Sequence, residues 1–88
     1  MHAVLVSVAI EDEQKAVEQL QNVVVPMVKG LPGAVHGYWL QPGGGQGYST
    51  VVFETEEQAK AAAEGVRVRA PEGVTVQQVS MAPVVAHF

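Results

Sequence analysis

Residues 31–40, with the sequence LPGAVHGYWL, constrain the fold of this chain more than any other segment. Gly30, Pro32 and Gly33 surround its start, and glycine and proline at such positions end a helix and turn the chain. The residues that follow include the single Trp and one of the two Tyr, which are typical of a β-strand. A helix must therefore end at this point, and a strand must begin directly after it.

The helix expected before this turn is amphipathic and interrupted. Asp12 is placed to cap its first turn. Apolar residues then recur at helical spacing, at Ala16, Val17, Leu20, Val23, Val24, Met27, Val28 and Leu31. Pro26 lies within this run and has no amide hydrogen to donate to the carbonyl four residues earlier. We therefore expect a kink or break near residues 22–25.

The other elements follow from similar patterns. Strands are expected at residues 2–10, 34–41, 48–54 and 73–80. Thr55 and Gln58 match the capping box, in which two residues bond each other's free amides at the start of a helix. Gly65 is expected to end this second helix, and residues 66–71 are expected to form a connector.

The order β-α-β-β-α-β predicts an α+β, ferredoxin-like fold, in which a four-stranded antiparallel sheet carries both helices on one face. Residues 1–88 are expected to form a single domain. The uncovered sheet face is expected to consist largely of Val, Leu, Ala and aromatic residues. A chain this short has a small core, and without cysteine it has no disulfide. We therefore expect a homodimer with its sheets face to face, and an apolar tail at residues 81–88 that docks on the partner.

The formal net charge of −4, from nine acidic and five basic residues, argues against nucleic acid and anionic membrane as partners. No apolar run approaches the roughly 20 residues of a membrane span. The first ten residues lack the basic flank and cleavage site of a secretory signal. We therefore expect a cytoplasmic protein. Residues 43–47 are rich in glycine but precede a strand rather than a helix, which predicts a hairpin and not a phosphate-binding loop.

Strict alternation along the second strand separates two candidate faces. One face is expected to hold Ala34, His36, Tyr38 and Leu40, and the other Val35, Gly37, Trp39 and Gln41. His36 and Tyr38 are the candidate catalytic pair, because imidazole titrates near neutrality and a neighbouring phenol can orient or relay a proton. The alternative is that both side chains form hydrogen bonds in a dimer interface.

Four further side chains are candidates for contact with a ligand, namely Trp39, Tyr48, Ser7 and Gln78. Each also has a structural interpretation, such as core packing for Trp39 or close approach of a helix for Ser7. Gln77 and Gln78 are consecutive, so one is expected to point inward and the other outward. The three His lie on separate elements without ligand-like spacing, so we expect neither a metal nor a cofactor.

The order of elements and several segments resemble the antibiotic biosynthesis monooxygenase (ABM) family of the dimeric α+β barrel superfamily. The matching segments are VLVSVAI, VVPMVKGLPG, VHGYWL, YSTVVFET and EEQAKAAAEG, with the pattern P-G-x-x-x-G-Y at residues 32–38. The resemblance implies a homodimer that binds a small apolar or aromatic molecule in a pocket between helices and sheet. It also implies an alternative, a cofactor-independent monooxygenase acting on an aromatic polyketide or a quinol-type substrate.

The chain departs from two enzyme patterns of that superfamily. Its haem-degrading members carry a His on the second helix, a Trp on the third strand and an Asn on the first strand, and this chain has none of these. Its polyketide oxygenases use a set of Asn, Trp, Tyr and Arg, whereas the only Asn here is Asn22, on a helix. Haem degradation is therefore not expected, and these residues do not decide whether the protein is an enzyme.

Overall fold

The computed structural model describes residues 1–68 and 73–88, which form an α+β structure in the order β-α-β-β-α-β. One antiparallel sheet of order β2-β3-β1-β4 consists of β1 (His2–Ile10), β2 (Ala34–Gly43), β3 (Gln46–Phe53) and β4 (Val74–Pro83). The helical layer consists of α1 (Glu13–Gln19), a π-helical segment (Leu20–Val24), α2 (Val25–Lys29) and α3 (Glu56–Val68). This is the arrangement of a ferredoxin-like fold, so the predicted fold class is confirmed.

The first helical region is interrupted where the proline predicts it. Asp12 caps α1 by accepting a hydrogen bond from the backbone amide of Lys15 at 3.1 Å. The π-helical segment comes immediately before Pro26, and the amide of Val25 donates to the carbonyl of Leu20, five residues earlier. A wider turn of this kind accommodates a proline that has no amide to donate.

Helix α3 begins as predicted but ends later than predicted. The amide of Thr55 donates to Gln58 Oε1 at 3.1 Å, and the amide of Gln58 donates to Thr55 Oγ1 at 3.2 Å, which completes the capping box. The expectation that Gly65 ends the helix is wrong, because an interior glycine costs only about 1 kcal/mol and α3 continues to Val68. The extra turn brings Arg67 to β4, where its Nη2 donates to the carbonyl of Val79 at 3.2 Å. The predicted connector at residues 66–71 otherwise lies outside the described residues.

The core lies between the helices and one face of the sheet. Among the described residues the buried hydrophobic side chains are Ala3, Val4, Ala16, Val51, Phe53, Ala59 and Ala63, and four of these seven are alanine. Small side chains on α3 let the helix lie close to the sheet, and Phe53, which is 1% exposed, fills the centre of the cluster. Such a core buries little apolar area per residue, and hydrophobic stabilisation scales with that area.

Three shifts in strand register alter the alternation of the sheet. Two lie in β2, between Ala34 and His36 and between Leu40 and Gly43, and the third lies in β4 opposite Ser7 and Val8. Because of the shift between Ala34 and His36, the prediction that these two residues share one face of β2 is wrong. Ala34 packs against the core together with Trp39, whereas His36 pairs with Val52 on the opposite side of the sheet. An extra residue at a bulge shifts the alternation by one position, which strict period-two reasoning cannot anticipate.

Candidate functional site

The sheet face that points away from the helices is called the open face here, and the strand register orders its side chains into three rows. The first row is His36, Val52, Ala3 and Ala82. The second row is Tyr38, Thr50, Leu5 and Ser80. The third row is Leu40, Tyr48, Ser7 and Gln78. Side chains that neighbour each other within a row have Cβ atoms about 5 Å apart and contact one another across the strands.

The open face changes in character from one row to the next. Three of the four side chains in the first row are aliphatic, as expected for the uncovered face. Most of the third row is polar or phenolic, so the expectation of a largely apolar face is wrong at that end. Large side chains stand exposed across it, with Leu5 at 38%, Tyr48 at 47%, and Tyr38 and Leu40 at 59%. The result is an amphipathic surface with an aliphatic end and a hydrogen-bonding end.

A shallow depression of about 420 Å³ lies at the hydrogen-bonding end, across β1, β3 and β4. Its lining residues are Leu5, Val6, Ser7, Gln46, Tyr48, Ser49, Thr50, Gln77, Gln78 and Ser80. None of these ten is an Asp, Glu, Lys, Arg or His. Its open-face side chains present hydroxyl and carboxamide groups together with the aliphatic surface of Leu5.

The bulge in β4 determines how the two glutamines meet this depression. Gln78 pairs with Ser7, whereas Val76 pairs with Val8, so Gln77 is the extra residue. Both Gln77 and Gln78 are exposed and both line the depression. The expectation that one of them points inward is therefore wrong, because the extra residue of a bulge opposes the same partner as its neighbour.

The structure brings five of the six predicted site residues to the open face. Ser7, Tyr48 and Gln78 are consecutive members of the third row and line the depression. His36 and Tyr38, the predicted proton-handling pair, are exposed in the first and second rows.

Trp39 is the predicted site residue that the structure separates from the others. It lies on the helix-facing side of the sheet and packs against the core cluster. Its ring lies over Gly37, where an added Cβ would be 2.9 Å from two ring carbons. This arrangement matches the core interpretation of Trp39 and gives Gly37 a packing role within the chain.

Seven of the ten lining residues were not predicted as site residues, namely Leu5, Val6, Gln46, Ser49, Thr50, Gln77 and Ser80. Thr50 follows Tyr48 by two residues in the same strand, so alternation alone places it on the same face. Ser80 is related to Gln78 in the same way. Gln77 has no such signal, because its position depends on a bulge that the sequence pattern does not reveal.

The histidines are spread over the fold. His2 Nε2 lies 3.7 Å from Glu56 Oε2 at the start of α3, and His36 is on the open face. His87 is in the exposed C-terminal tail. Within residues 1–68 and 73–88, no three or more His, Cys, Asp or Glu side chains are grouped so that they could hold a metal ion.

The chain matches no model of a known protein family, and no curated protein shows significant sequence similarity to it. The resemblance to the ABM family therefore stays a prediction. In the part of the chain that the structure describes, no helix is both long and apolar enough to cross a membrane. The class that the structure itself defines is the α+β ferredoxin-like fold with one open sheet face.

Proposed function

We propose that this protein is an ABM-like homodimer that binds a small apolar or aromatic molecule at its open sheet face. The observation that carries the proposal is the amount of surface left uncovered. The chain exposes 5827 Å², whereas a compact monomer of 9.3 kDa exposes about 5,000 Å². The excess of about 800 Å² includes the C-terminal tail and the large exposed side chains of the open face, and apolar surface of this kind favours a partner.

The thin core supports the same conclusion. Phe53 is the one aromatic side chain in the buried cluster, and most of the other buried residues are small. Leu5, Tyr38 and Leu40 are large and remain substantially exposed on the open face. Burying them against a second copy would stabilise each subunit, since apolar burial contributes about 25 cal/mol per Å².

The C-terminal tail fits this assembly. Residues 81–83, which were predicted as part of the tail, belong to β4, so the tail begins at Val84. The amide of Val84 donates a hydrogen bond to the carbonyl of Met1 at 3.0 Å, at the point where the chain leaves β4. Beyond that bond, Val85 is 93% exposed and Phe88 is fully exposed. An apolar tail that begins at the rim of the sheet can cover part of a partner subunit, and we assign it that role in the dimer.

We place the ligand on the open face because side chains of the core already occupy the space between the helices and the sheet. The resemblance implies a pocket between helices and sheet, but the core cluster occupies that space around Phe53. The depression on the open face has about 420 Å³ and is shallow and open to solvent in the single chain. A second subunit on the open face would close this depression from above. We therefore place the ligand there.

The dimer is tested by placing a charge at the centre of the open face. Leu5→Glu would bury a carboxylate without a partner, which costs several kcal/mol, so we expect at least a tenfold weaker dimer by analytical ultracentrifugation. Val17→Glu is the matched control, because Val17 lies on α1 and is 37% exposed, against 38% for Leu5. Both variants should keep the circular dichroism of the parent protein. A dimer that tolerates Leu5→Glu as well as Val17→Glu would contradict the proposed interface.

The ligand is tested by native mass spectrometry of the protein as purified. We expect the mass of two chains, with an additional small molecule in part of the population. A dimer without added mass supports the assembly alone, and incubation with aromatic compounds then tests the site. A monomer at every concentration would refute the assembly.

The second candidate function, a cofactor-independent monooxygenase acting on an aromatic polyketide or a quinol-type substrate, is favoured by one observation. His36 and Tyr38 lie on β2 in neighbouring rows of the open face, so an aromatic substrate bound beside β2, outside the depression, would meet both. In this proposal one of them accepts the proton of the substrate, and the resulting anion supplies the electrons that reduce O₂. One oxygen atom is retained in the oxidised product, and the other leaves as water. Oxygen uptake with a dihydroxyaromatic compound tests it, and His36→Ala should abolish uptake while the dimer persists. Unchanged uptake in that variant would exclude His36 as the base.

A further inference from the structure

The bulge in β4 creates an arrangement that a regular strand cannot form, with two consecutive carboxamides at one depression. In a regular strand, residues 77 and 78 would point to opposite faces. Here both Gln77 and Gln78 line the depression on the open face, opposite the hydroxyl of Ser7. Bulges commonly re-aim side chains beside binding sites. The position of these amides is therefore a candidate determinant of what the site binds.

The chemistry of a carboxamide defines what it recognises. Its oxygen accepts and its NH₂ group donates, so it can form two parallel hydrogen bonds with a partner that has an acceptor next to a donor. Asn and Gln read the edge of adenine in this bidentate way. Ionic ligands are disfavoured, because the lining contains no charged side chain to balance them and burying an unpaired charge is costly.

The other walls of the depression accept a flat ring. Tyr48 is two strands away from Gln78 in the third row, with Ser7 between them, which is a span of about 10 Å. Leu5 contributes aliphatic surface from the second row. An aromatic ring system that contacts Tyr48 and Leu5 can therefore present one polar edge to the glutamines, since Tyr side chains combine apolar area with a polar tip.

We infer that the ligand of this site is a neutral, planar heteroaromatic molecule with an adjacent hydrogen-bond donor and acceptor, such as a lactam, read by Gln77 and Gln78. This inference rests on the proposed ligand site and names the class of molecule that occupies it. The apolar rings occupy the side of the depression formed by Tyr48 and Leu5. The polar edge faces the bulge, and charged aromatic compounds are rejected.

The test uses the full chain and three probe compounds, two of which are a matched pair of quinolones. 2-Quinolone has the donor and acceptor, 1-methyl-2-quinolone has nearly the same size without the donor, and 2-naphthoate carries a negative charge. Binding is followed by two-dimensional NMR, with the backbone amides of the open face and the side-chain amides of both glutamines as reporters. We expect 2-quinolone to bind about 2- to 10-fold more tightly than its methylated form, as the loss of one hydrogen bond predicts, and 2-naphthoate to bind most weakly.

Substitutions of the two glutamines test whether they cause the difference in affinity between the two quinolones. Gln77→Leu and Gln78→Leu should each weaken 2-quinolone about 2- to 10-fold and leave 1-methyl-2-quinolone nearly unchanged. Gln21→Leu is the control, since Gln21 is exposed on the helical layer. Equal affinity for the two quinolones, no effect of either glutamine variant, or a preference for 2-naphthoate would each overturn the inference while leaving an open-face ligand site in place. If none of the three compounds shifts any open-face amide, the inference and the proposed ligand site both fail.

Discussion

Replacing Gly33 with alanine should destabilise the protein by about 2 kcal/mol, because two separate penalties meet at this residue. Gly33 has φ of +78°, a conformation that costs an L-residue about 1–2 kcal/mol. A Cβ built there would lie 1.8 Å from Gln58 Oε1 and 2.2 Å from Gln58 Cδ. The added methyl group therefore displaces the side chain that completes the capping box of α3.

The expected loss of unfolding free energy in Gly33→Ala combines these two penalties with one compensating gain. Loss of the capping interaction costs about 1 kcal/mol. Alanine also lowers the entropy of the unfolded chain, which returns about 0.4–1 kcal/mol. The net of about 2 kcal/mol corresponds to a decrease in Tm of about 8–16 °C for a domain of this size.

Gly44→Ala is the matched control. Gly44 also has positive φ, at +67°, but a Cβ there meets nothing within 4 Å. It therefore reports the backbone penalty without the displaced Gln58. Urea denaturation followed by circular dichroism measures both variants, at a fixed protein concentration because a dimer's stability depends on it. We expect Gly33→Ala to cost about 1 kcal/mol more than Gly44→Ala.

A double-mutant cycle with Gln58→Ala tests the mechanism itself. If the methyl group acts by displacing Gln58, then Gly33→Ala should cost less in a background where that side chain is already gone. The two free-energy changes should therefore sum to more than the change measured in the double variant. Strict additivity, or equal costs for Gly33→Ala and Gly44→Ala, would refute the argued contact between the turn and the capping box.

Two further predictions concern the core. Phe53→Ala should cost about 3–5 kcal/mol, because it removes the largest fully buried side chain and leaves a cavity; a loss below 1 kcal/mol in urea denaturation would contradict the central role of Phe53. Gly37→Ala should shift the fluorescence maximum of the single Trp, because a Cβ at Gly37 would lie 2.9 Å from the ring of Trp39 and must move it. An unchanged spectrum together with unchanged stability would show that the ring does not lie against Gly37.

The sequence predicted the fold well, because local signals and the fold agree in most of the chain. Asp12 and the pair Thr55 and Gln58 form the predicted caps. Pro26 marks the interruption of the first helical region, since a missing amide must be accommodated wherever the proline falls. The end of α3 was predicted less well, because Gly65 is a weak helix breaker and the hydrogen bond from Arg67 to Val79 depends on tertiary structure.

The candidate site was predicted in part, and the reason lies in the extra residues Val35 and Gln77 in the strand pairing. Ser7 and Tyr48 pair directly across the strands, because the register between β1 and β3 is regular through both residues. Alternation misplaces Ala34, and it wrongly assigns Gln77 and Gln78 to opposite sides of the strand, because Ala34 and Gln77 lie at insertions in the strand pairing. Side-chain alternation cannot be extended across such an insertion, because one extra residue moves every following side chain to the opposite face of the sheet.

The same irregularities connect the fold to its proposed function. A sheet that alternated perfectly would place one glutamine of β4 toward the helices, where a buried carboxamide needs hydrogen-bond partners that a core of Val, Ala and Phe does not supply. The bulge removes that cost by turning Gln77 outward with Gln78. It also concentrates hydrogen-bonding groups at one end of an otherwise amphipathic face. The bulge that keeps polar groups out of the core is therefore also the feature that gives the open face a chemically distinct end.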